Sequence, residues 1–127
     1  MPGVSPASLT LPPSVQSVRK ARHFLRDACE AQGVPAEVLD DAALLTSELV
    51  SNAVLHGRSE IRLVVERRSR RLRVSVHDEN SRRPMLVPDA PDALDGRGLA
   101  LVAGIASSWG VHDEPIGKAV WFELELP

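Results

Sequence analysis

Residues 46–57 read TSELVSNAVLHG. With the residues before it, this stretch carries Val38, Ala42, Leu45, Leu49 and Ala53 at helical spacing. That pattern predicts an amphipathic helix with Pro35 in its first turn, reaching about Leu55 and closed by Gly57. Glu48 and Asn52 stand four residues apart, so they stack on one face of this helix. At 100° per residue they fall on the flank beside the apolar stripe rather than opposite it. Two readings are open. A carboxylate and an amide held half-buried side by side suit a base and a metal ligand. The same pair could also be ordinary surface residues of an amphipathic helix.

Upstream, Ser14 is placed to cap a first helix that runs to about Gln32. Its apolar stripe is Val15, Val18, Ala21, Phe24, Leu25 and Ala28, and Gly33 ends it. Residues 1–14 are rich in Pro and Ser, with a short alternation at Leu9 and Leu11 that reads as an edge strand. The expected organisation is a loose tail over residues 1–8 and one domain over residues 9–127.

Downstream, Ile61, Leu63 and Val65 alternate, residues 67–70 make a polar turn, and Leu72, Val74 and Val76 alternate again. This is the pattern of an antiparallel hairpin with one buried face. Asp78 keeps the parity of the inward set, whereas Arg71, Arg73, Ser75 and His77 take the outward one. A buried carboxylate needs donors to offset its desolvation, and the amino group of a ligand would serve. Alternatively, the strand has already ended and Asp78 is a turn residue. Residues 79–96 hold Pro84, Pro88 and Pro91 and little periodicity, the pattern of a long functional loop. Gly96-Arg97-Gly98 precedes a short apolar helix, LALVAGIA. Glycines at a helix start let backbone N–H groups reach a phosphate, but they serve equally as a hinge. Two last strands are expected, around Trp109–Val111 and Val120–Leu126. The order of elements predicts an α+β fold: a two-layer sandwich with helices on one face of a mostly antiparallel sheet.

The composition narrows the functional class. The chain has 127 residues, of which 43% are hydrophobic and only 3% aromatic, so aliphatic side chains must fill the core of a single domain. A net charge of −2 gives no general attraction to nucleic acid or anionic membrane. Cys29, the single cysteine, cannot form an internal disulfide. No run approaches the ~18 apolar residues of a membrane span, and the first residues lack the basic start and apolar run of a secretory signal. A cytoplasmic location is therefore expected. Gly117-Lys118 lacks the glycine spacing of a P-loop, and neither a dinucleotide fingerprint nor the eukaryotic protein-kinase signatures occur. His23, His56, His77 and His112 lack metal-ligand spacing, though His56 suits a helix-end cation. Trp109 and Trp121 are expected to pack the sheet. Arg62, Arg67, Arg68, Arg70, Arg71 and Arg73 read as a solvated edge that discourages aggregation or as a dock for an acidic partner. Direct nucleic-acid binding is not expected without an aromatic stacking platform.

Four blocks in order carry a resemblance: TSELVSNAVLHG (46–57), VSVHDEN (74–80), GRGLALVAGIASSWG (96–110) and GKAVWFELELP (117–127). Together they resemble the N box, the two glycine boxes and the final strand of the gyrase, chaperone, histidine kinase and MutL (GHKL) ATP-binding superfamily. The single-domain anti-sigma-factor serine kinases are the most similar members. The resemblance covers nearly the whole chain from about Leu9. It implies that Asn52 binds the Mg²⁺ bridging the phosphates of ATP, a hard cation that takes oxygen ligands. It implies that Glu48 is the catalytic base and that Asp78 accepts a hydrogen bond from the adenine amino group. Gly96, Gly98 and the backbone near Leu99 would hold phosphates, and the loop at 79–96 would be the lid.

Two positions depart from the family pattern. Glu79-Asn80-Ser81 stands where a glycine usually follows the aspartate. Ala119 is the nearest match to a threonine near the start of the last strand. The function implied is an ATP-dependent serine/threonine kinase that phosphorylates an antagonist protein and also binds a sigma factor, with relatives suggesting a homodimer. Its competitors are a partner-docking module that binds ATP without chemistry and a slow ATPase. Glu48 favours chemistry, since binding alone does not require a base.

Overall fold

A computed structural model of the chain describes residues 5–56, 59–79 and 94–127, with side chains from residue 100 onward in the last segment. Its elements are β1 (Ala7–Leu11), α1 (Gln16–Ala31), α2 (Ala36–His56), β2 (Ile61–Arg68), β3 (Arg71–Asp78), α3 (Leu94–Ile105), β4 (Ser108–Asp113) and β5 (Lys118–Glu125). The strands form one antiparallel sheet in the order β1-β2-β3-β5-β4. The helices lie on one face of it, α2 between α1 and α3. This is the two-layer α+β architecture expected from the order of elements.

The period of two sets the inward face of the sheet. Ile61, Leu63, Val65, Leu72, Val74, Val76, Phe122 and Leu124 are all buried against the helices. All five stripe residues of α2, Val38, Ala42, Leu45, Leu49 and Ala53, are buried as well. Val102 of α3 joins this core, and Trp109 packs against it from β4. Burying one such aliphatic side chain stabilises by about 1.5–3 kcal/mol, so the chain builds its core from many moderate contributions in place of large aromatics. Cys29 is buried among them. Burial pushes its thiol up from 9.0 to about 11, with Arg26 pulling weakly the other way, so the thiol is protonated and inert near neutral pH.

Several boundaries differ from the expectations. β1 begins at Ala7, inside the expected tail, because Ala7 pairs with Val65. α1 starts at Gln16 with Val15 at its cap position and no side-chain cap. At the helix start the Ser17 hydroxyl donates to the Pro12 carbonyl at 2.6 Å, and the Ser14 hydroxyl lies 3.5 Å from Ser17 Oγ rather than on a helix N–H. Val15 is 78% exposed and leaves the expected stripe. The other end of α1 follows its sequence signal. Gly33 adopts φ +72°, while Val34 N–H donates to Cys29 O and Gly33 N–H to Glu30 O, closing a Schellman motif. The closing residue expected for α2, Gly57, lies outside the described residues; His56 ends the helix, where a cation suits the dipole.

One side chain completes the sheet edge. The partner of β2 on the β1 side starts only at Ala7, opposite Val65. Beyond it, the Gln32 amide donates to Val65 O at 3.1 Å and accepts from Arg67 N at 2.7 Å, so it pairs with β2 as a further strand residue would. Arg67 returns the contact by donating to the Gln32 and Gly33 carbonyls at 3.2 and 2.6 Å. Removing the amide leaves two backbone groups of β2 without it. Gln32→Ala is therefore expected to lower unfolding free energy by about 1–3 kcal/mol in a urea titration. An unchanged midpoint would show that water replaces the amide at no cost.

Candidate functional site

α2 holds Glu48 and Asn52 one helical turn apart, both half-buried on the flank of its buried stripe. The placement read from periodicity is thus the one observed. Among the described residues, the Asn52 Nδ2 atom, sealed from solvent, has no hydrogen-bond partner, and neither has Thr46 Oγ1 on the same helix. Buried polar atoms without partners are uncommon and costly. The two ends of a side-chain amide exchange on rotation, so the unpartnered end can present oxygen as well as nitrogen. A hard oxygen facing an unfilled hydrogen-bonding position fits one ligand of a Mg²⁺ ion that takes its remaining ligands from phosphates and water. Among the described residues, no group of three or more His, Cys, Asp or Glu could hold a metal by itself.

α2 packs against β3 and β5. β3 ends on Asp78, which is 6% exposed and faces the helices with Val74 and Val76. Inward parity therefore persists to the last residue of the strand. The residue that meets Asp78 had no signal in the sequence reading. Lys118 lies directly across the β3–β5 ladder, and its ammonium donates to both Asp78 oxygens, at 3.1 and 3.2 Å. Both side chains are buried, 7% and 4% exposed. Removing one partner of such a pair typically costs about 3–5 kcal/mol, because a charge is left buried alone. Ala119, the expected match to the threonine of relatives, instead pairs with His77 and His112 on the opposite face of the sheet. Strand parity makes Lys118, and not Ala119, the β5 neighbour of Asp78. Counting β5 back by twos from Phe122 gives Lys118 its inward parity, but that it meets Asp78 depends on the β3–β5 register.

The backbone around the pair is tightly fixed. Gly117 has φ +84°, and a Cβ there would lie 1.9 Å from the Asp78 carbonyl oxygen and 2.5 Å from Glu79 Cα. The Glu79 N–H donates to Ser59 Oγ at 3.0 Å, tying the end of β3 to the start of β2.

α2 also packs against α3. Gly96, Gly98 and Leu99 lie within this helix, which begins at Leu94 rather than at Gly98. The first four N–H groups of a helix have no partner inside it. By position the N–H of Gly96 is among them and those of Gly98 and Leu99 are not. The lid expected at 79–96 falls mainly on residues 80–93, outside the described residues.

The hairpin arginines are not a sheet edge, since β1 and β4 occupy the edges. Most have partners within the chain. Arg68 pairs with Glu66 at 2.7 Å, and Arg71 and Arg73 share Glu123 at 3.5 and 3.2 Å. Arg73 also lies 4.1 Å from the centroid of Trp121. His77 lies 2.9 Å from Glu114 and 3.0 Å from Ser75 Oγ. Of these arginines, Arg71 and Arg73 pair across to β5, whereas Arg68 pairs within β2 and Arg67 donates to backbone carbonyls.

A family model described as the histidine kinase-like ATPase domain matches residues 11–124. The chain belongs to this family. Membership makes ATP its nucleotide at the level of the family. No curated protein matches the chain. Among solved structures, the fold is similar to the RsbU and RsbW domains of a Mycobacterium tuberculosis protein, with TM-score 0.73 and 22% identity over 97% of this chain. This chain covers 33% of that one, a third of its length. It is similar to the Pseudomonas aeruginosa SiaB–SiaC complex structure, with TM-score 0.61 and 15% identity, covering 93% of this chain and 87% of that one. It also resembles the histidine kinase domain of a blue-light activated kinase from Erythrobacter litoralis, with TM-score 0.57 and 21% identity, covering 84% of this chain and 61% of that one. None of the described helices is long and apolar enough to cross a membrane.

The fixed backbone gives a paired test of the site's rigidity. Gly117→Ala forces a side chain onto the Asp78 carbonyl at a left-handed φ, a conformation that alone costs about 1–3 kcal/mol. It is expected to lower the melting temperature by several degrees. Gly104→Ala in α3 meets nothing within 4 Å and is expected to stabilise by about 0.5–1 kcal/mol. Thermal denaturation of both variants checks the contrast.

Proposed function

We propose that the chain is an ATP-dependent serine/threonine kinase of the anti-sigma-factor type, which phosphorylates an antagonist protein and docks a sigma factor. The observation that carries this reading is the pairing on one flank of α2: a half-buried carboxylate, Glu48, one turn from Asn52, whose buried amide nitrogen has no partner among the described residues. A domain that only bound nucleotide would have no need of a carboxylate beside the metal ligand. Family membership and the fold shared with RsbW-type and SiaB-type proteins support the reading.

In this reading the residues have separate tasks. Asp78 receives the adenine amino group from its buried position at the end of β3. Asn52 would hold Mg²⁺ through its amide oxygen, and the ion would supply charge neutralisation of the phosphates. Gly96, Gly98 and Leu99 line the phosphate side along α3. Glu48 orients the partner's hydroxyl and accepts its proton as the hydroxyl oxygen bonds to the γ-phosphorus and ADP leaves. Phosphoryl transfer depends mainly on such positioning and on charge stabilisation. The partners in this reading are proteins. A homodimer and a cytoplasmic setting belong to the same proposal.

The test is transfer of labelled phosphate from ATP to candidate antagonist proteins. Glu48→Gln keeps the size of the side chain but cannot take the proton. It is expected to slow transfer about 10²–10⁴-fold while leaving ATP affinity within a few-fold. Asn52→Ala is expected to abolish the gain in ATP affinity that Mg²⁺ gives. If the wild type transfers no phosphate to a partner it demonstrably binds, and Glu48→Gln changes nothing, the chain is a docking module. If Glu48→Gln abolishes ATP binding itself, Glu48 belongs to the metal shell or to the fold.

A further inference from the structure

The buried pair of Lys118 and Asp78 has a consequence for nucleotide recognition. A carboxylate at the end of a strand can turn about its last torsion, so burial alone does not aim it. Here one ammonium contacts both oxygens, at 3.1 and 3.2 Å. That ammonium is held in turn by the β5 backbone, whose register sets Lys118 directly opposite Asp78. Gly117 lies against the Asp78 carbonyl and fixes the main chain behind it. The aspartate is thus held at its side chain by the first residue of β5 and at its backbone by the glycine just before it.

We propose that Lys118 is a positioning residue for base recognition, holding the Asp78 carboxylate in the orientation that meets the amino group of the purine. The proposal rests on the reading of Asp78 as the adenine acceptor. Bond strength decides whether the base displaces the ammonium or joins it. Hydrogen bonds from a charged donor are roughly twice as strong as those from a neutral one, so a neutral amino group does not expel the lysine from a site where both side chains are buried. An ionised carboxylate offers about four lone-pair sites and can accept from the ammonium and the amino group together. The base therefore enters with Lys118 in place. This arrangement also accounts for a hydroxyl-free Ala119: the recognition partner of Asp78 is on the other face of β5.

The experiment is calorimetry with Mg²⁺ on the full chain. It compares ATP with the triphosphate of purine riboside, which lacks the 6-amino group. The wild type is expected to bind ATP about ten- to a hundredfold more tightly than the analogue, the range set by one hydrogen bond to a charged group. Lys118→Met is expected to lose most of that preference, and Asp78→Asn likewise. Lys118→Arg, whose guanidinium donates to carboxylates in pairs, is expected to keep it within a few-fold. A packing role would weaken both nucleotides equally, and equal weakening in Lys118→Met overturns the proposal. Tighter ATP binding by Lys118→Met also overturns it and makes the lysine a competitor of the base. Should Lys118→Met not fold, Lys118→Gln is measured instead, and full retention of the preference in that variant is the overturning result. If the wild type binds both nucleotides alike and Asp78→Asn alters neither, the adenine role of Asp78 fails and the role of Lys118 falls with it. A preference that depends on Asp78 but not on Lys118 sinks the present proposal alone.

Discussion

Eight residues of β3 pair with eight of β5, from Arg71 opposite Glu125 to Asp78 opposite Lys118. This ladder joins segments about forty residues apart, and most of the remaining structure follows from it. On the inward face it sets Val74 beside Phe122 and Val76 beside Val120, the apolar floor on which α2 rests. At its far end it brings an ammonium to a buried carboxylate, which alone would be costly to desolvate. A slip of one residue would send every inward side chain to the other face and would separate Asp78 from Lys118 at the same stroke. The core and the candidate site therefore share one register.

The same ladder governs the opposite face. Arg73 meets Glu123 and Ser75 meets Trp121 across β3 and β5, and Arg73 stacks on Trp121. Such cross-strand pairs each contribute a few tenths to about 1 kcal/mol. Exposed ion pairs such as Arg26–Asp40 contribute little, whereas Arg73 and Glu123 are shielded enough to fix side-chain positions. Two of the hairpin arginines, Arg71 and Arg73, thus tie β3 to β5 through Glu123.

The site is distributed over elements with different tasks. α2 carries Glu48 and Asn52 on a helix fixed by eight buried residues. β3 and β5 carry the buried ion pair at the end of the central strands. α3 carries the glycines and joins α2 through the core residue Val102. Helices and strands thus carry the groups proposed for base and metal recognition.

The sequence by itself determined the two periodicities and therefore the layers. Apolar spacing in residues 38–53 made a helix with Glu48 and Asn52 on its flank, because 3.6 residues per turn fixes which side chains neighbour the buried stripe. Alternation from Leu72 to Val76 gave Asp78 the inward parity because a strand has a period of two, but that the strand continues to Asp78 was decided by its pairing with Lys118 of β5. The Schellman end of α1 was legible in Gly33, since a left-handed residue at that place favours glycine. Helix starts were not: Ser14 looked like a cap, yet the chain turns a residue later and Ser17 takes the available carbonyl. Only the tertiary structure decided what Asp78 meets. Lys118 is an unremarkable lysine in the sequence, and its importance arises from a pairing register between distant segments. The partners of Gln32, Arg67 and Arg73 are likewise residues more than thirty positions away. Local periodicity specifies which way a side chain points, whereas its partner depends on long-range pairing that no short window of sequence contains.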